Sequence, residues 1–151
     1  MNFILDCDKT KCIFCTIPEE KNMEKENLVL YRGENTFVLM NKYPYSNGHL
    51  MVSTYLHKPK ITDVEPRILH ELVDNVQMAT EALQKAFNPD GMNIGVNQGK
   101  VAGAGYDGHL HFHIVPRWNG DSNFMPVIAK TKVMAEHLEE TYEKIAQFFK
   151  K

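Results

Sequence analysis

The stretch "GHLHFHIVPRW", residues 108 to 118, sets His109, His111 and His113 at every second position, with Leu110, Phe112 and Ile114 between them. A period of two is the period of a β-strand, whose side chains alternate between faces. The three imidazoles therefore share one face, roughly 6 to 7 Å apart from one to the next, and the opposite face is an apolar stripe fit for a core. Pro116 has no N–H for a sheet ladder and is the expected end of the strand. A row of imidazoles has several uses. Neutral imidazole is a nucleophile near pH 7 and forms covalent intermediates with phosphorus centres, provided one ring nitrogen is bare and the other holds its proton on a fixed acceptor. Histidines two apart on a strand can also share a zinc ion, and a row of solvated surface histidines is the third reading.

The rest of the chain determines what such a strand can belong to. At 151 residues it has the length of one domain with one core, and we read 1–151 as a single domain. A net charge of −2 gives bulk electrostatics no hold on nucleic acid or a membrane surface, so an anionic ligand must be held locally. The start "MNFILDCDKTK" lacks the apolar run of a signal peptide, and nothing approaches a membrane span. Three cysteines are too few for a disulfide scaffold, which points to a reducing cytoplasm.

"NLVLYRGENTFVLMNKYP" reads as two strands about the turn "RGEN", "GHLMVSTYL" as a third, and "MNIGVNQG" as a fourth. Residues 62–87 read as a long helix, with Thr62 and Glu65 at capping-box spacing and a stripe of Leu69, Leu72, Val73, Val76, Leu83 and Phe87. The tail 131–151 reads as a second helix, with Val133, Leu138, Tyr142, Ile145 and Phe149 on one side. Short strands joined by tight turns, with helices gathered in two places, predict an α+β domain with an antiparallel sheet of about five strands. "GKVAGAGYDG" does not follow the dinucleotide-binding fingerprint. In the N-terminal segment 1–20, "CIFC" places Cys12 and Cys15 at the spacing of half a tetrahedral zinc site; two buried thiols without a metal are the alternative.

"HLHFHIV" resembles the signature of the histidine triad family of nucleotidyl hydrolases and transferases. "CIFC", "NKYPYSNGHLMV", "GVNQG" and "PRW" fall in that family's order, so the resemblance covers most of the chain. "GDSNFMPVIAKTKV" further resembles the branch of diadenosine polyphosphate phosphorylases and hydrolases. The resemblance implies the histidine triad fold and a homodimer. It also implies that His111 attacks the α-phosphorus of a nucleotide, that His113 contacts the phosphate near the scissile bond, and that His49 supports the nucleophilic imidazole. Positive charge shared among the imidazoles is the expected stabiliser of the phosphate oxygens.

A structural zinc ion is implied on Cys12, Cys15, His57 and His109, with Cys7 a spare thiol. Ile13, Phe14 and Ile17 resemble the residues that sandwich the purine, Asn41 the one that reaches the ribose, and Asn97 one that touches the phosphates. Gly103 and Gly105 allow backbone N–H groups to approach an anion. No free catalytic metal is demanded, and Mg²⁺ could arrive bound to the substrate.

One departure from the family pattern is informative. Hydrolases of this branch carry a glutamine four residues before the first triad histidine, where it can orient water. Here Ala104 and Gly105, or Ala102 and Gly103 with a one-residue insertion, stand in its place. Its loss makes room for inorganic phosphate, which Lys100 and Lys130 could help to hold. The expected activity is thus diadenosine tetraphosphate phosphorolysis to ATP and ADP. Hydrolysis of dinucleoside polyphosphates or nucleoside phosphoramidates, and nucleotide binding without turnover, are the rival readings.

Overall fold

The computed structural model describes residues 12–122 and 137–149. Cys7, Lys130, Val133, most of the "GDSNFMPVIAKTKV" stretch and the ends of both terminal segments lie outside the described residues. Five strands form one antiparallel sheet: β1 (Val29–Arg32), β2 (Thr36–Met40), β3 (Leu50–Thr54), β4 (Gly91–Val96) and β5 (His111–Arg117), in the order β1-β2-β3-β5-β4. The triad strand therefore lies inside the sheet, and β4 is an edge.

Alternation along the strands builds two different faces. Val38, Met40, Leu50, Val52 and Ile114 pack against the long helix α2 (Pro66–Phe87) and the C-terminal helix α3 (Leu138–Ala146) in the main core. Phe37, Leu39 and Met51 point the other way and are covered by the single-turn helix α1 (Ile13–Thr16), which brings Cys12 and Phe14 onto them. A register irregularity between Val29 and Tyr31 lets β1 serve both faces: Val29 joins the α1 cluster, and Tyr31 packs on the α2 side.

Two local expectations change. Thr62 and Glu65 make no capping box: Thr62 lies in a short 3₁₀ turn, Ile61–Asp63, and α2 starts at Pro66 with Glu65 as its N-cap. Proline already has the helical φ and lacks one of the N–H groups that a helix start leaves without a partner. The buried stripe of α2 is Ile68, Leu72, Asn75, Ala79, Ala82 and Leu83, whereas Val73 is 56% exposed. Asn75 belongs to that stripe because its amide donates to Thr36 Oγ1 inside the fold.

Beside Asn75, the Glu71 carboxylate accepts from the backbone and side chain of both Asn35 and Thr36, fastening α2 to the β1–β2 turn. A Cβ at Gly33 would lie 2.6 Å from Glu71 Oε1 and push the carboxylate out of this arrangement. Pro116 does not end β5 but pairs with Met92 of β4. The pairing of β5 with β3 extends only to Ile114, so Pro116 needs one neighbour rather than two.

Candidate active site

His109 lies two residues before β5, outside the strand expected to carry all three histidines, and its ring is turned into the α1 side of the sheet, 2% exposed. Nε2 lies 2.8 Å from the carbonyl oxygen of Thr54, which can only accept, so Nε2 carries the proton and Nδ1 a lone pair. Nδ1 faces Cys12 Sγ at 3.4 Å and Cys15 Sγ at 3.6 Å, and His57 Nδ1 lies 3.2 Å from Cys15 Sγ. The turn of α1 sets the thiol spacing, with Cys15 N–H and Thr16 N–H both donating to Cys12 O at 3.0 Å.

The four ligand atoms lie within 4.8 Å of one another. A tetrahedron of Zn–S and Zn–N bonds separates its corners by about 3.3–3.8 Å, so two sulfurs and two imidazole nitrogens at these distances fit the ion. The Thr54 carbonyl is the outer hydrogen-bond partner that a ligating imidazole commonly has. Burial pushes His109 down to about 4, against its hydrogen bond to Thr54, which keeps the ring in the neutral form that ligates.

His111 opens β5 opposite Ser53 of β3 and is buried. Its Nδ1 donates to the carbonyl of His109 at 2.8 Å, so the proton is there and Nε2 presents the lone pair. Burial pushes the pKa of His111 below the usual imidazole range, with the bond to His109 opposing. Phe14 stacks on the His111 ring, centroids 4.5 Å apart and planes at 25°. Phe14 is 1% exposed with its ring stacked on His111, Ile13 is 47% exposed and Ile17 half-buried.

His49 reaches His113 rather than the expected His111. The backbone N–H of Tyr45 donates to His49 Nδ1 at 3.0 Å, so the proton of His49 is on Nε2. That Nε2 donates to His113 Nδ1 at 2.9 Å, which places the His113 proton on its own Nε2. His111 and His113, with ring centroids 4.8 Å apart, are therefore held as opposite tautomers, one offering a lone pair and the other an N–H. Burial, with His111 nearby, pushes His113 to about 4. Burial thus favours the neutral forms of His111 and His113 in the free protein, and a phosphate oxygen beside His113 would meet an oriented N–H dipole.

Asn41 Oδ1 accepts from Tyr43 N–H at 2.9 Å, and its Nδ2 lies 3.5 Å from His49 Nδ1, so it braces the turn that carries Tyr45. Asn97 Nδ2 donates to Gly103 O at 3.3 Å. The glycine loop is not an open row of donors: Ala102, Gly103 and Ala104 N–H groups all donate to the carbonyls of Gly99 and Lys100. Gly103, with φ of 87°, ends the 3₁₀ turn Lys100–Ala102, and Gly105 borders open space. Lys100 and Ala104 belong to the same loop, Lys100 exposed within that turn. Tyr45 and Thr54 are the site residues that sequence reasoning missed, and the contact of Phe14 with His111 went unforeseen. Tyr45 and Thr54 act through main-chain atoms, which leave no residue signature, and Phe14 acts through a contact between distant segments.

A domain model described as "HIT domain" matches residues 22–120. The chain is 37% identical to an AP-4-A phosphorylase of Mycobacterium tuberculosis over 133 residues, which cover 88% of this chain and 67% of that one. It is 31% identical over 93 residues to an asymmetrical bis(5'-nucleosyl)-tetraphosphatase of Schizosaccharomyces pombe, covering 62% of this chain and 50% of that one. A zinc-bound histidine triad family protein of Mycobacterium smegmatis superposes with a TM-score of 0.73 at 25% identity, over 93% of this chain and 94% of that one.

Proposed function

This chain belongs to the HIT, or histidine triad, family, and on that premise we propose that it transfers nucleotidyl groups from dinucleoside polyphosphates to inorganic phosphate through His111. His111 Nε2 attacks the α-phosphorus; an N–P bond forms and the bond to the bridging oxygen breaks. His113 Nε2–H holds the charge that gathers on that oxygen. A phosphate oxygen then attacks the same phosphorus, the N–P bond breaks, and a nucleoside diphosphate leaves. With diadenosine tetraphosphate the products are ATP and ADP.

The observation that carries this reading is the neutral His111 ring, its proton on the His109 carbonyl and its lone pair beside the His113 donor. Phosphate as acceptor is supported by the absence of a glutamine at Ala104 and Gly105 and by the likeness to a protein named AP-4-A phosphorylase.

Zinc on Cys12, Cys15, His57 and His109 would supply a closed structural tie between α1 and the triad segment. Mg²⁺ comes with the polyphosphate rather than from the protein. We place the activity in the reducing cytosol, where both thiols remain available to a metal; no helix among the described residues is long and apolar enough to cross a membrane. The homodimer is supported by the edge position of β4, where Ile94 is 48% exposed.

Product analysis with diadenosine tetraphosphate tests the reading. ATP and ADP formed only when phosphate is added is the expected result. ATP and AMP formed regardless of phosphate would make the chain a hydrolase, the activity named in its Schizosaccharomyces pombe relative.

A further inference from the structure

Ser53 is a polar residue in an apolar layer. It pairs with Phe37 of β2 on one side and His111 of β5 on the other. Paired residues of an antiparallel ladder point to the same face, so its side chain lies on the α1 side with Phe37, Leu39 and Met51. It is 0% exposed. A hydroxyl buried there costs free energy unless it is bonded, and a β-branched residue would suit the strand better. Ser53 Oγ donates its one proton to the carbonyl of Leu110 at 2.9 Å; Thr54 O, at 3.5 Å, is the more distant acceptor. The β3–β5 register ends at the Ser53–His111 pair, so the hydroxyl takes over where the ladder stops. Leu110 separates His109 from His111, and both of its peptide groups are pinned. Its N–H donates to Lys58 O at 2.7 Å. Planarity points the carbonyl of that same peptide, which belongs to His109, the opposite way, and there it accepts His111 Nδ1–H at 2.8 Å. The next peptide carries the Leu110 carbonyl and the His111 N–H, and Ser53 holds it.

We propose that Ser53 is a positioning residue for the nucleophile: its hydroxyl fixes the 110–111 peptide from which the His111 ring hangs, and so keeps Nδ1 on the His109 carbonyl and Nε2 bare. The inference rests on His111 as the nucleophile of the proposed function. Rotation of that peptide would carry the His111 ring away from the His109 carbonyl and lengthen the Nδ1 bond. Without that acceptor the ring proton is free to occupy Nε2, and an Nε2 that carries a proton has no lone pair to attack phosphorus. Phe14 restrains the plane of the ring, and Ser53 restrains its root. Ser53 reaches neither the ring nor the substrate side of His111, so it acts through the backbone alone.

Ser53→Ala tests this with two readouts, each taken well below the melting transition of the chain. The first is the nitrogen-15 shifts of the His111 ring, which report where its proton lies. The second is kcat and KM on diadenosine tetraphosphate with phosphate. In the unmodified chain the proton is expected on Nδ1 alone. In Ser53→Ala the two ring nitrogens are expected to move toward each other as the tautomers mix, and kcat to fall by about tenfold with KM unchanged. Ser53→Thr keeps the hydroxyl and should restore both. Ser53→Cys, whose thiol is a weak donor, carries the same test if the alanine chain does not fold. Ring nitrogens that do not move overturn the role even if kcat falls, because the loss would then not pass through the ring. An unchanged kcat overturns it as well. Failure of the unmodified chain to form nucleotidyl-His111 would instead remove the proposed function, and the nitrogen shifts would still decide whether Ser53 fixes the ring.

Discussion

The two ends of the histidine run differ in a way their identical spacing conceals. At the His109 end the ring is closed in: one nitrogen bonds the Thr54 carbonyl, the other faces two sulfurs, and helix α1 covers it. At the His113 end the ring is half-buried, takes its tautomer from His49 and Tyr45, and borders a trough of about 480 Å³. His111 lies between them, anchored through the His109 carbonyl and stacked by Phe14. The partner of the second ring nitrogen, not the residue type, assigns each imidazole its chemistry. On the proposed function, the His109 end ties the structure together and the other two rings meet the substrate.

Substitution at the centre should have the largest effect. His111→Ala is expected to lower turnover by about 10³-fold or more, while nucleotide affinity, measured by titration, changes only a few-fold. Unaltered turnover would sink the covalent route and the functional difference between the ends with it. Next, His49→Phe removes the donor that sets His113. The expected loss is about 10²-fold, in kcat rather than KM, and an unaffected kcat would mean that His113 does not need that proton arrangement.

Removing the zinc proposed for Cys12, Cys15, His57 and His109 probes the opposite end. A ligand at a thousandfold excess over its Kd stabilises by about 4 kcal/mol, so chelation should lower the melting temperature by roughly 8–16 °C. Turnover per folded molecule should survive well below that transition. Its disappearance in a chain that remains folded would show that the closed end also takes part in the chemistry.

Glu71, distant from both ends, provides the control. Burial pushes its carboxyl up, but the hydrogen bonds from Asn35 and Thr36 outweigh that and hold it below its ordinary 4.5. The stability this contributes is complete above that value and drains away as pH falls through the lower folded-state value. Glu71→Gln should cost about 1 kcal/mol at neutral pH and flatten that part of the acid limb in denaturant titrations, with turnover unchanged. A catalytic defect in this variant would show that turnover depends on general stability rather than on the two ends separately.

Much of the fold was legible in the sequence. The period-two runs around Val38, Val52 and Ile114 marked strands with one face in the core, and the turn residues separated them. "CIFC" marked the first two thiols of the cluster, because the spacing that lets both reach one ion is a local property of a single turn. The start of α2 was misread, since Thr62 and Glu65 have capping spacing but Pro66 alone fits the first helical position. The stacking of Phe14 on His111 was not legible, because it joins residues 97 positions apart.

By itself the sequence determined which side chains share a face, since that follows from the period of the backbone, and which family's chemistry they resemble. Only the tertiary structure decided which imidazole nitrogen is protonated, which histidine His49 serves, and where space remains beside His113. Those outcomes rest on carbonyls and N–H groups of Thr54, His109 and Tyr45 and on two glycines of an edge strand. Backbone groups are common to nearly every residue, so only folding can show which of them meets a histidine ring.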